Sequence, residues 1–217
     1  MREASAAALE DMALGGVKKE GMLRQTWNGL KKNKMDMFGL ALIILLIVMA
    51  AFADFIAPYG VDDQDLLNKF QGPCAAHLFG TDDFGRDIFS RVIYGSRYSL
   101  AIGACAAVLS AAIGMLVGSV AGFYGGKTDN LLMRLIDIML AIPSTLLGIS
   151  IVAALGNGIR NVIIAVAIGA VPAYARIVRA SILSVKEQEY IEAARSIGAS
   201  DLRIIMRHIL PNCLAPI

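Results

Sequence analysis

The stretch LAIGACAAVLSAAIGMLVGSVAGF, residues 100–123, carries no charged side chain and is long enough to cross a bilayer as a helix. Within it Gly114, Gly118 and Gly122 recur at every fourth position, with Ser110 one step earlier. Residues four apart share one side of a helix. Small residues there form a groove that lets another helix backbone approach closely, which is how helices associate in lipid. The stretch predicts a membrane helix with one packing face, and therefore a helical bundle. It does not by itself name a function.

Three further apolar runs surround it. Residues 38–53 are uncharged and extend to about residue 57; residues 131–155 are apolar apart from Arg134 and Asp137; residues 161–175 are shorter and continue as helix through Arg176 and Arg179. The chain is 57% hydrophobic and 18% charged, with mean hydropathy +0.63, against about 45–50% and about 25% in soluble domains. An all-α polytopic membrane protein follows. The net charge of +2 is too small to suggest a nucleic-acid partner. Cys74, Cys105 and Cys213 lie far apart, with no CxxC pair, so neither a disulfide framework nor a zinc site is supported. The first run is read as an uncleaved anchor, because some 37 residues precede it and a signal peptide has a short leading region.

Lysine and arginine set the expected orientation. Arg2, Lys18, Lys19, Arg24, Lys31, Lys32 and Lys34 crowd the N-terminal tail, and Arg176, Arg179, Lys186, Arg195, Arg203 and Arg207 follow the fourth run. Asp54, Asp62, Asp63, Asp65, Asp82, Asp83 and Asp87 make the segment 54–99 acidic. Four spans place both basic ends in the cytoplasm and the acidic loop outside. The expected organisation is a cytoplasmic tail (1–37), a first transmembrane helix (38–57), an extracytoplasmic loop (58–99) with an amphipathic helix near Asp87–Tyr94, and a core (100–217) with three more transmembrane helices.

Arg134 and Asp137, three apart, are expected to pair on one helix face, in a structural or hinge role. Pro143 and Pro172 are expected to bend their helices. The segment AGFYGGKT, residues 121–128, nearly spells a phosphate-binding loop, but a membrane helix precedes it where such a loop needs a strand. It is read as a cytoplasmic turn. His77 and His208 lack a second ligand at metal spacing and are read as structural, and no catalytic constellation is evident.

The segment EYIEAARSIGASDLRIIMRHILPN, residues 189–212, is polar and follows the last span. Ser184 with Glu187 fits a capping box for a helix running to Ile197, where Gly198 takes the left-handed conformation that ends it. Ser200 is placed to cap a second helix, with Asp201 in its first turn, and Pro211 to close it. Ala193, Ala194, Ile197, Ile204, Ile205 and Ile209 are read as the apolar side. The segment is then either an amphipathic helix on the bilayer surface or a docking element for a partner protein.

Glu192-Ala193-Ala194 with Gly198 and Leu210-Pro211 resembles the EAA motif of ABC importer permeases. HLFGTDDFGRDIFSR, residues 77–91, resembles a signature of the second (C-type) permease of dipeptide, oligopeptide and nickel systems, and RHILPN, residues 207–212, fits the same subfamily. The resemblance implies the type I ABC importer permease fold. It implies that Glu192, Ala193, Ala194, Gly198, Leu210 and Pro211, within a coupling segment 184–211, engage a cytoplasmic ATPase. Gly80, Thr81, Asp82, Gly85, Arg86, Asp87, Arg134 and Asp137 then belong to the family framework. Implied partners are a second permease subunit, two ATPase subunits, an extracytoplasmic solute-binding protein and the lipid bilayer of a bacterial or archaeal inner membrane. No cofactor is implied on this subunit, since ATP binds on the partners. Family members have six spans, so the chain is expected to lack the last two. The alternative expectation is a truncated, non-transporting membrane anchor that binds the ATPase.

Overall fold

The computed structural model describes residue 31 and residues 33–213, so most of the basic tail and the last four residues lie outside the described residues. The elements fall into two units, residues 1–94 and 95–217.

In the first unit α1 (Lys34–Ala51) begins at Asn33, whose side chain accepts a hydrogen bond from the Met35 N–H at 3.0 Å. Asp36 in the first turn suits the positive end of the helix. Its side chains are almost all exposed, including Leu42, Ile43, Leu45 and Ile47. In lipid that exposure is favourable, at about 0.3–0.6 kcal/mol for each such residue near the helix centre. Phe52 interrupts the helix and α2 (Ala53–Ile56) follows. The acidic loop is a compact turn structure, closed by an isolated antiparallel bridge between Thr81 and Asp87.

The next helix, α3 (Ile88–Tyr124), starts within the stretch read from sequence as loop and runs unbroken through the apolar run. The short amphipathic helix expected at residues 87–94 is its first turns.

In the second unit α4 (Gly126–Ala141) and α5 (Ser144–Leu155) are bent by 91° at the Ile142–Pro143 break. The single span expected over 131–155 is therefore two helices. The cause is local: a residue before proline is driven out of the helical region, and Ile142 is extended at φ −92°, ψ 127°. α6 (Ile159–Val185) continues through Pro172 and past Arg176 and Arg179. Among the described residues, three helices, α1, α3 and α6, are long and apolar enough to cross a membrane, and the bent pair makes a fourth if it counts as one span.

The seam between α3 and α6 is built on the glycine series. A Cβ added at Gly114 would lie 2.4 Å from the Tyr174 Cβ, and one at Gly118 2.5 Å from the Ala175 carbonyl oxygen. At Gly122 the nearest atoms are those of Ile182, at 3.0 Å. The face predicted for helix packing is filled by α6 of the same chain. Ile136 of α4 packs with Val171 and Ala175 of α6, flanked by Ile113, Val117, Met133 and Met139.

Candidate functional site: the segment after α6

α6 does not end at the expected capping box. Ser184 lies inside it and donates its hydroxyl to the Ser181 carbonyl at 3.0 Å. Val178 and Ile182 are fully buried and Val185 packs on the same cluster, so the helix is held through Val185 by its own buried face. The next helix, α7 (Glu189–Ser196), starts after extended Gln188, without a side-chain cap. Glu189 and Glu192 in its first turn and Arg195 in its last are each at the end of the helix dipole that favours them.

Its C-terminus has the form read from the sequence. Gly198 sits at φ +79°, its N–H donates to Arg195 O at 2.9 Å, and the Ala199 N–H donates to Ala194 O at 3.1 Å. That is the Schellman pairing, which satisfies two carbonyls the helix leaves open. No atom lies within 4 Å of a Cβ built on Gly198, so glycine is required there by the backbone angle and not by space.

Ser200 occupies the position before α8 (Asp201–Arg203) in extended conformation, although its hydroxyl makes no capping bond. The chain continues through a π-helical stretch (Ile204–Ile209) into α9 (Leu210–Cys213). Pro211 therefore lies within the last helix and does not close it. A proline ring collides with the carbonyl four residues back. The widened π turn, in which the Leu210 N–H donates to Ile205 O, relieves that crowding.

The apolar side also differs from expectation. Ile191, Ala194, Ile204, Ile205, Ile209 and Cys213 are buried with Phe123 of α3 and Val178 and Ile182 of α6. Ala193 is exposed, and Ile197 is 85% exposed. The EAA motif is thus split: Ala194 faces the core, Leu210 is half-buried, and Glu192, Ala193 and Pro211 face outward. Leu202 (70% exposed) and Met206 (57%) join Ile197 as protruding apolar side chains. The result is an anchored segment with a mixed polar and apolar outer surface.

Polar contacts hold the elements beneath it. Arg179 of α6 grips Asp129 of α4 with two bonds, 2.5 and 2.6 Å. Asp137 pairs with Arg176 of α6 at 2.6 Å, not with Arg134, which has no ion-pair partner among the described residues. Arg176 belongs to a neighbouring helix and the fold brings it to Asp137 across 39 positions of sequence.

The loop signature in the first unit is a separate polar scaffold. Gly80 (φ +77°) and Gly85 (φ +74°) lie against the Gln71 and Asp65 carbonyls, and a Cβ at Gly85 would meet the latter at 1.8 Å. Thr81 accepts from the Gln71 N–H at 2.9 Å and donates to Asn68 O at 2.5 Å. Asp82 accepts from the Phe84 and Arg86 N–H groups, from the Arg86 side chain at 2.8 Å, and from Arg91. Burial works to raise its pKa, but the hydrogen bonds and the Arg86 charge outweigh it and draw the carboxyl down to about 2. Asp87, 2% exposed, caps α3 through the Ser90 N–H at 2.7 Å and faces His77 Nδ1 at 3.0 Å. His77 is held in place by that contact and by Tyr59, whose ring centroid is 4.8 Å away. Residues 121–128 are the end of α3 and the start of α4, joined at Gly125 alone, with positive φ at Gly125 and Gly126.

Comparison with known proteins decides the family. Residues 114–217 match the family described as binding-protein-dependent transport system inner membrane component. Residues 21–73 match the N-terminal TM domain of oligopeptide transport permease C. The chain belongs to the ABC importer permease family. Among permease relatives, the dipeptide transport system permease protein of Alkalihalophilus pseudofirmus is 47% identical over 194 residues, covering 89% of this chain and 64% of the relative. The glutathione transport system permease proteins of Escherichia coli O6:K15:H31 and Shigella boydii serotype 4 are each 51% identical over 194 residues, covering 88% of this chain and 63% of the relative. The chain spans less than two thirds of the length of these permeases. The matched permease region includes α3 from Gly114 onward, α4 to α6, and the anchored segment after them. By these matches the chain is similar to the C-type permeases.

Proposed function

We propose that the chain is a permease subunit of an ATP-driven importer of peptides, and that its segment 184–211 seats a cytoplasmic ATPase. One observation carries the docking reading. The segment's inner face is locked into the cluster of Phe123, Val178, Ile182 and Ile191, while Glu192, Ala193, Ile197, Leu202 and Met206 remain outside. An amphipathic helix resting on the bilayer would have its apolar face free for lipid; here that face is spent on the protein, and the outer surface mixes charge with three apolar side chains. Such a surface suits a protein groove, where apolar contacts within a polar rim supply affinity.

The remaining parts follow from this reading. The basic N-terminal tail and the basic segment after α6 face the cytoplasm, and the acidic loop faces outside, toward a solute-binding protein. A second permease completes the pathway, and two ATPases close on ATP and rotate the docking segment, reopening the bundle to the other face. Peptide chemistry is favoured over nickel because the relatives carry dipeptide and glutathione in their names. No chemistry occurs on this subunit.

The test is Gly198→Val in the full-length permease, reconstituted with its ATPases and binding protein. A β-branched residue at φ +79° distorts the turn between α7 and α8, so transport and stimulated ATP hydrolysis are lost while membrane insertion persists. Normal transport by that variant sinks the reading. A native chain that recruits the ATPases yet imports nothing would instead be an anchor.

A further inference from the structure

We propose that Lys186 and Arg195 are positioning residues that fasten the docking segment to the C-terminal end of α3, so that the α3–α4 turn moves with it as one body. This route rests on the docking reading above and adds the path by which force leaves the docking surface.

The C-terminal carbonyls of a helix have no partner within it. The Lys186 ammonium reaches one of them, Gly122 O, at 3.3 Å, where a cation also meets the negative end of α3. Lys186 is the capping residue just after α6, two positions before Gln188, which precedes α7. It stands at the joint about which the docking segment would rotate. Beyond the joint, Arg195 of α7 lies over the ring of Phe123, 5.2 Å from its centroid, a cation–π distance. Phe123 is buried in the same cluster as Ile191 and Ala194. Gly122 and Phe123 are adjacent, so the two contacts grip one point of α3, one from the joint and one from beyond it.

The turn just beyond that point is sharp. Gly125 and Gly126 have φ +64° and +54°, a backbone that side chains rarely adopt, and the first turn of α4 carries Asp129, held by Arg179 of α6. Displacement of α7 therefore acts on the end of α3 directly and on the start of α4 through the turn. The buried aliphatic residues already supply cohesion between these elements. What Lys186 and Arg195 add is a charge-based tie from the joint and from α7 to the same end of α3.

The experiment uses the full-length permease in its assembled transporter, in proteoliposomes, comparing native protein, the double variant Lys186→Met/Arg195→Met, and the conservative pair Lys186→Arg/Arg195→Lys. Two quantities are read: ATPase recovered with the permease, and solute imported per ATP hydrolysed. Counted per assembled complex, the double Met variant should import about tenfold less per ATP, the scale of a typical coupling free energy. The conservative pair should restore coupling, which a merely space-filling role would not predict. Native import per ATP in the double Met variant overturns the proposal. Loss of ATPase recovery in that variant also overturns it, since the two residues would then belong to the docking contact. If native permease fails to recover the ATPases, the docking reading has failed instead.

Discussion

Replacing Gly118 by alanine tests the seam on which the rest of the second unit depends. The added methyl would sit 2.5 Å from Ala175 O, 2.8 Å from Val178 Cβ and 3.1 Å from Arg179 N. Two of those atoms are backbone and cannot rotate away, so α6 must move off α3. Overpacking of this kind costs about 1–3 kcal/mol. The gain in helix propensity from glycine to alanine offsets about 0.5–1 kcal/mol of it. A net loss of about 1–2 kcal/mol is expected. Gly103→Ala on the same helix is the control, because no atom lies within 4 Å of its added Cβ; it should be neutral or stabilising by up to about 1 kcal/mol. Gly122→Ala, with nearest contacts at 3.0 Å, should fall between them. Unfolding of the purified chain in mixed micelles, followed by circular dichroism, ranks the three. Equal shifts for Gly118→Ala and Gly103→Ala would refute the α3–α6 packing.

Two further outcomes follow from the polar contacts. The Asp82 carboxyl is drawn from 3.8 to about 2 in the folded loop. Its contribution is therefore complete above the unfolded value and lost as pH falls through the folded one, so protease resistance of the loop should decline over that window. Asp82→Asn should lower resistance at neutral pH and flatten the decline; an unchanged acid profile counts against Asp82 as the hub. For the bidentate pair, a double-mutant cycle of Asp129→Asn and Arg179→Gln should give a coupling of about 1–3 kcal/mol in the same micelle assay, and additive effects would remove the link between α4 and α6.

Much of the bundle was legible because its signals are local. Uncharged runs mark the apolar helices, four-residue spacing marks the α3 face, and a glycine between two polar helical stretches marks the left-handed turn at Gly198. What escaped were contests between a local rule and a distant contact. Ser184 and Glu187 satisfy a capping pattern, but the buried face of Val178 and Ile182 carries α6 past it. Arg134 is correctly spaced for Asp137, yet Arg176 from α6 takes the carboxylate. Asp129 and Arg179 meet across 50 positions, a pairing no spacing rule within one helix reveals. Ala193 and Ile197 are apolar, which alone points them inward, yet both are exposed. Ile191, three residues before Ala194, sets the true helical face, and it was the available signal. Pro143 was visible as a bend, but the 91° angle comes from Ile142 becoming extended before it.

If the outer surface of the segment after α6 is an ATPase seat, that surface must bind the ATPase. Binding of the purified ATPase to the full-length permease in nanodiscs measures it directly, with Leu202→Asp, on the exposed apolar surface, set against Leu116→Ala on the exposed side of α3. Leu202→Asp is expected to weaken binding by about tenfold or more, as loss of a central apolar contact does, while Leu116→Ala binds as native. Native affinity with Asp at position 202 would contradict it.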